Sequence, residues 1–176
     1  IHEDDIAVVP QGLFYVGAVL KENDYDVEVL NWHNINKTPE KIEQILVEKK
    51  PDIIGFSILH ANRWGGIEIT RIARQVHPNV KIVFGGIGAT FLWKHFLTHF
   101  PEIDFVVIGE GEYSFLKLVG CLKENDKKDI EKIRGIAFRK NGKVLKTKRN
   151  EIVNNLDKLP MPAKYFNFQH LSLTRG

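Results

Sequence analysis

The sequence predicts an α/β domain, a doubly wound and mostly parallel sheet followed by a C-terminal β-hairpin and a linker. Three observations predict it. Short runs that are apolar nearly throughout, Asp52–Leu59, Lys81–Phe84 and Asp104–Ile108, alternate with amphipathic segments of helical length. Strands of that kind, spaced by helices, imply a parallel sheet covered on both faces. Glycines stand where strands end, at Gly85-Gly86 and at Gly109. Asn141-Gly142, between 135–139 and 143–147, is the strongest short hairpin signal.

The elements follow in order. Ile6-Ala7-Val8-Val9, before Pro10, is either the first strand or part of a loop whose strand lies upstream of Ile1. Residues 12–22 predict a helix, with Leu13, Val16, Gly17 and Leu20 on one face. Tyr25–Leu30 alternates and predicts a strand. Residues 38–49 predict a helix capped by Thr38, with Pro39 in its first turn and Ile42, Ile45 and Leu46 as its stripe. Strand 52–59, helix 66–76, strand 81–84, helix 90–99, strand 104–108 and helix 112–123 then rotate strictly. The last helix turns Phe115, Leu116, Val119 and Leu122 inward, and Cys121 beside them reads as a core or half-buried thiol. Residues 150–170 are broken by proline and read as a linker. This is the flavodoxin/Rossmann-like plan, divided into an α/β domain over 1–132, a hairpin appendage over 133–149 and a linker over 150–176.

Composition narrows the class. The 176 residues are 43% hydrophobic and 27% charged, an ordinary globular balance. One cysteine can form neither an internal disulfide nor a multi-cysteine metal site. No apolar run approaches the ~20 residues a membrane helix needs, and no signal peptide is legible, so a cytoplasmic location without membrane contact is expected. The net charge is +3, yet residues 123–149 alone carry eleven Lys/Arg against four Asp/Glu, leaving the remainder at −4. A nucleic-acid surface interleaves basic residues with aromatics. Here Phe138 is the one aromatic, so the segment reads as a solvated charged hairpin and no nucleic-acid partner is expected.

Ligands of open α/β sheets bind beyond the carboxyl ends of the strands. The first such end is Ser57-Ile58-Leu59-His60, where Ser57 brings a hydroxyl that donates and accepts. The second is Gly85-Gly86-Ile87-Gly88, whose glycines admit positive φ and close approach to the backbone. It lacks the Gly-Lys-Ser/Thr of a phosphate loop. The third is Gly109-Glu110-Gly111-Glu112, whose two carboxylates would repel phosphate. Three adjacent strand ends without bulk outline a wide, flat-walled site that suits a large planar ligand.

These residues carry a resemblance. Pro10-x-Gly12-Leu13-x-Tyr15, Ser57-x-Leu59, Gly85-Gly86 and Ile103-Asp104-Phe105-Val106-Val107-x-Gly109-Glu110-Gly111-Glu112 resemble the cobalamin-binding domain of B12-dependent radical SAM proteins. The Asn141-Gly142 hairpin and Leu156-Asp157-x-Leu159-Pro160-x-Pro162-Ala163 match as well, so the likeness covers nearly the whole chain. In that family an Arg-Gly pair precedes the first cysteine of a Cys-x3-Cys-x2-Cys cluster motif, and Thr174-Arg175-Gly176 ends at that point. The resemblance implies a cobalamin domain cut before its radical SAM domain, which is the expected partner in the same polypeptide. It implies a cofactor site of Ser57, Ile58, Leu59, Gly85, Gly86, Ile87, Gly109, Glu110 and Gly111, and no catalytic residue or metal ligand of the chain's own. Ser57 would hydrogen-bond the cofactor's nucleotide tail and the Gly85-Gly86 pair would leave it room. The full-length protein would add a [4Fe-4S] cluster and S-adenosylmethionine, for methyl transfer or other radical chemistry.

The Asp-x-His-x-x-Gly motif, whose histidine ligates cobalt in methionine-synthase-type domains, is absent. His2 reads as an end residue and His60 as a helix-entry surface residue. Trp64 either covers the ligand or packs. His95 and His99 are spaced as a metal pair without a third ligand. The alternative is a flavodoxin-like signalling or interaction module of the same fold that binds no B12. Ser57 stands where a signalling receiver needs an acidic phosphoacceptor, which counts against it. A flavin or nucleotide binder is disfavoured by the missing phosphate loop.

Overall fold

Parallel strands need crossovers, and the crossovers supply the helices. A computed structural model describes residues 11–30, 38–124, 127–150 and 155–167 of the chain. The chain divides into two compact units, Lys37–Val153, and Ile1–Asn36 together with Asn154–Gly176. This division differs from the expected one at 132/133 and 149/150.

The smaller unit holds α1 (Gln11–Glu22), which buries Phe14, Gly17, Ala18, Val19 and Leu20. Phe166 closes on it, its ring edge-on to Phe14 at 5.3 Å between centroids. A Cβ on Gly17 would come within 2.8 Å of that ring, so glycine sets the approach. Short 3-10 turns at Leu156–Lys158 and Pro162–Lys164 give the proline-broken segment its local form. Tyr25–Leu30 corrects an expectation. The segment alternates in exposure as a strand would, with Asp26 and Glu28 outward, but residues 25–30 are not a strand. Alternation decides which side chains face inward; it does not supply a partner edge. The Ile6–Val9 candidate, His2 and the Thr174–Gly176 end lie outside the described residues.

In the larger unit, α2 (Pro39–Lys49) begins as predicted, with Thr38 as N-cap accepting from Lys41 N. Then come β1 (Ile53–Ser57), α3 (Arg63–Val76), β2 (Lys81–Gly85), α4 (Gly86–His99), β3 (Phe105–Val107), α5 (Glu112–Lys123), α6 (Lys127–Ile130), β4 (Ile136–Lys140) and β5 (Lys143–Lys146). The sheet order is β1-β2-β3-β4-β5. β1, β2 and β3 are parallel, with Phe56 opposite Phe84 and Phe84 opposite Val106. β4 runs antiparallel to β3 and β5 to β4. The hairpin expected as an appendage is therefore continuous with the sheet. Its strand Ile136–Lys140 buries Ile136, Ala137 and Phe138, and that apolar start is what joins it to β3. Asn141 (φ 51°) and Gly142 (φ 74°) turn it as a two-residue hairpin requires.

The strands alternate between two covered faces. Phe84 meets Phe56 and the α4 residue Phe96, each at 5.2 Å, on one face. Val83, Phe105 and Val107 pack with Leu118 of α5 and with Ile136 and Phe138 on the other. Cys121 is half-buried against this second cluster. The opposite, amino-terminal edge is tied by two arginines. Arg74 bonds Asp104 Oδ2 at 2.5 Å and donates to the carbonyls of Glu102 and Val80. Arg139 donates to the carbonyls of Leu97, Pro101 and Ile103. Burial holds its guanidinium below the ordinary arginine value, and nearby Asp104 offsets part of that.

The basic segment is mostly solvated, as its composition predicts. Lys140, Lys143, Lys146, Lys148 and Arg149 are exposed. Lys140 pairs with Glu131, and the Lys146 ammonium stands 5.4 Å from the Trp93 ring.

Candidate functional site

All three glycine- and serine-bearing segments lie at the carboxyl ends of β1, β2 and β3, within the larger unit. The first two are locked together by backbone. Ile58 N donates to Gly85 O at 2.8 Å, and Gly88 N donates to Ile58 O at 2.9 Å. Gly86 takes φ +84°, a value that side chains disfavour. A Cβ there would lie 3.1–3.2 Å from Ile58 O, Ile58 N and the Ser57 hydroxyl. At Gly88 a Cβ would lie 2.8 Å from Ile58 O. Helix α4 starts at Gly86, four residues before the predicted start, and the Gly88 N–H in its first turn is engaged by the neighbouring loop.

Asn62 shapes the first end. Its carboxamide donates to Ser57 O at 3.0 Å and accepts from Leu59 N at 2.7 Å. That side chain bridges the loop into α3, which starts at Arg63 and not at residue 66. Gly66 accounts for part of the shift. A Cβ on it would come 2.7 Å from the Ile58 Cδ1 atom, so the bare position seats the helix on Ile58. Nothing in composition marks Asn62 for this task beyond its place ahead of a helix, where asparagine is favoured.

The third end is joined to the second through Thr90, whose hydroxyl accepts from Gly109 N at 2.9 Å. Gly109 takes φ +78°. Ile108 is buried, while Gly109 and Glu110 emerge to solvent. Gly111 is half-buried and Glu112 opens α5, with one of its carboxylate oxygens buried and without a hydrogen-bond partner.

The predicted site residues separate into three kinds. Ser57, Gly85, Gly86, Gly109, Glu110 and Gly111 lie at the strand ends, with Ser57 beside Gly86. Leu59 and Ile87 expose 51% and 63% of their surface, far more than apolar side chains of their size usually do. Ile58 differs. Its side chain is 1% exposed and its N–H and C=O are both bonded within the protein, so it acts as the anchor of the loop. Phe91, in the first turns of α4 and outside the predicted set, is 78% exposed. Trp64 packs its edge against Phe100 and carries the Arg63 guanidinium over its ring. His60 is exposed. His95 and His99 approach to 4.6 Å between ring centroids, but no cluster of three metal-ligating side chains exists among the described residues.

The strand ends bring together a hydroxyl, glycine backbone and exposed apolar side chains. These groups suit binding. The architecture is that of an open α/β domain, a class of sheet that takes ligands beyond the carboxyl ends of its strands. The chain belongs to the B12-binding domain family, whose model matches residues 7–119. It is 30% identical over 154 residues to an uncharacterized methyltransferase of Pyrococcus horikoshii, covering 88% of this chain and 33% of that protein. It is 31% identical over 150 residues to the anaerobic magnesium-protoporphyrin IX monomethyl ester cyclase of a Synechocystis species, covering 84% and 30% respectively. The chain thus spans about a third of the length of these relatives.

Solved structures share the fold, two of them as follows. The cobalamin-dependent S-adenosylmethionine radical enzyme OxsB, with aqua-cobalamin and S-adenosylmethionine bound, superposes with a TM-score of 0.70 at 21% identity, over 86% of this chain and 21% of that one. The radical S-adenosylmethionine methyltransferase TsrM of Kitasatospora setae, with cobalamin and a [4Fe-4S] cluster bound, gives 0.71 at 18% identity, over 91% and 29%. No helix among the described residues is long and apolar enough to cross a membrane.

Proposed function

We propose that the chain carries cobalamin at the carboxyl ends of β1, β2 and β3, on behalf of a longer radical SAM enzyme. The observation that carries the placement is the composition of those ends. Ser57 has a hydroxyl without a hydrogen-bond partner among the described residues, and it sits beside Gly86. Around Gly85 a Cβ would find nothing nearer than 3.9 Å. Leu59, Ile87 and Phe91 stay exposed near these ends. Such residues fit a cofactor with a slender hydrogen-bonding tail and a broad, largely apolar ring. Ser57 would bond the tail, Gly85 and Gly86 would admit it, and Leu59 and Ile87 would bear on the ring. Gly109, Glu110 and Gly111 would line the same site.

When bound, cobalamin supplies a cobalt able to carry a methyl group, and the protein's share is to hold and orient it. In this reading the whole protein is a cytoplasmic enzyme in which a radical SAM domain of the same polypeptide holds a [4Fe-4S] cluster and S-adenosylmethionine, the groups named with cobalamin in the structures that share the fold. Methyl transfer is the reaction favoured; the cyclase among the relatives keeps ring formation as the second reading. The test is co-elution of hydroxocobalamin with the chain on a sizing column, read by its visible spectrum. One cofactor per chain with a shifted spectrum is expected. A protein peak without cobalamin would favour an interaction module of the same fold.

A further inference from the structure

Three consecutive residues leaving β3 are each held by a different part of the larger unit. Ile108 N donates to Gly135 O at 2.7 Å, Gly109 N donates to the Thr90 hydroxyl, and Glu110 O accepts from Asn150 Nδ2 at 2.5 Å. Asn150 follows β5, forty residues away in sequence, and it fits between two glycines. A Cβ on Gly109 would lie 3.1 Å from Asn150 Oδ1, and one on Gly135 would lie 2.8 Å from Asn150 Cβ. Both glycines take positive φ, +78° and +76°. Gly135 is itself fixed, since its N–H donates to Lys148 O at 2.8 Å. The strand end, the turn before β4 and the residue after β5 therefore meet at one carboxamide.

We propose that Asn150 is a positioning residue of the cofactor site, holding the Gly109–Gly111 loop in the form that admits the ligand. The inference rests on the placement of cobalamin at these strand ends. A loop with glycine at two of three positions has the most backbone freedom to lose on binding. Fixing it beforehand removes that cost, because affinity falls by the fraction of molecules in which the site is formed. The chemistry requires asparagine. Its amide group donates to Glu110 O while its oxygen stays compact against Gly109. Aspartate has the same size and no donor, and would set a carboxylate against the carbonyl. Glutamine carries an extra methylene into a space already tight at Cβ.

The test compares wild type with Asn150→Asp and Asn150→Ala in the whole chain. Amide hydrogen exchange is measured first, without ligand, at residues 109–112 and at the central strand residues Ile82 and Val106. Hydroxocobalamin is then titrated and followed by its visible spectrum. Both variants are expected to exchange at least fivefold faster at 109–112, with Ile82 and Val106 unchanged, and to bind cobalamin about tenfold more weakly. Asn150→Asp distinguishes the donor from packing. If it matches wild type within twofold in exchange and in affinity, the positioning role is refuted. If all strands exchange faster together, Asn150 is a general stability residue and the proposal also falls. If wild type binds no cobalamin, the cofactor reading fails, and the ligand-free exchange still decides whether Asn150 holds the loop.

Discussion

Replacing Gly88 with alanine sets helix propensity against packing, and the two predict opposite signs. Gly88 is the third residue of α4, where alanine should gain up to ~1 kcal/mol over glycine. The structure places a Cβ there 2.8 Å from Ile58 O and 3.0 Å from the Leu59 carbonyl carbon. Both are backbone atoms, so no rotamer change relieves the contact. The loop must retreat, which breaks the Gly88 N–Ile58 O bond, worth ~1 kcal/mol. It also lifts Ile58 from its seat against Gly66, an overpacking strain of roughly 1–3 kcal/mol. Less the propensity gain, the net loss is about 1–3 kcal/mol. In a chain of 176 residues each kcal/mol lowers the melting temperature by roughly 2–4 °C. Gly65→Ala in the first turn of α3 is the control, since nothing lies within 4 Å of its Cβ. Thermal unfolding should show Gly65→Ala neutral or stabilising and Gly88→Ala destabilising. A Gly88→Ala protein at least as stable as wild type would refute the account of the strand-end lock.

Other perturbations separate binding from folding. Ser57→Ala should leave urea stability within ~0.5 kcal/mol of wild type. It should weaken hydroxocobalamin binding by roughly fivefold to tenfold, the size of one lost hydrogen bond. Phe91→Ser removes a side chain that is 78% exposed, so the melting temperature should hold while cofactor affinity falls several-fold; equal affinity would take α4's first turns out of the site. Arg139→Ala removes the charged donor from three carbonyls at the far edge and should cost about 3 kcal/mol in urea unfolding. Cobalamin affinity measured well below the unfolding midpoint should be unchanged.

Much of this was legible where one local signal decides the outcome. Thr38 with Pro39, the 112–123 helix and the Asn141-Gly142 turn form as their residues predict. The misses share a cause, which is that the deciding partner is remote in sequence. Alternation at 25–30 could not say whether an edge was available. Glycine-rich starts hid the first turns of α3 and α4, because Gly66, Gly86 and Gly88 are there for close approach to Ile58. The polar second half of 136–140 concealed that its first three residues are core. Asn150 carries no local signal at all, since its meaning depends on two glycines elsewhere in the chain.

The two glycines read as one motif at the end of β2 have different tasks, and this changes which variant tests the site. Gly86 is required by its own φ and by the Ser57–Ile58 backbone, so any substitution there perturbs the fold and the site together. Gly85 is extended, with φ −143° and ψ −172°, a conformation open to any residue. A Cβ on it would meet Phe56 O and Val107 Cβ only at 3.9 Å, an ordinary contact. Gly85→Ala should therefore fold with stability within ~1 kcal/mol of wild type, as substitutions without strain do. If the cofactor's tail uses the bare backbone at the end of β2, the added methyl takes that space, and hydroxocobalamin affinity should fall by tenfold or more. Should Gly85→Ala bind as tightly as wild type while Ser57→Ala binds weakly, the tail lies along β1 and does not approach Gly85.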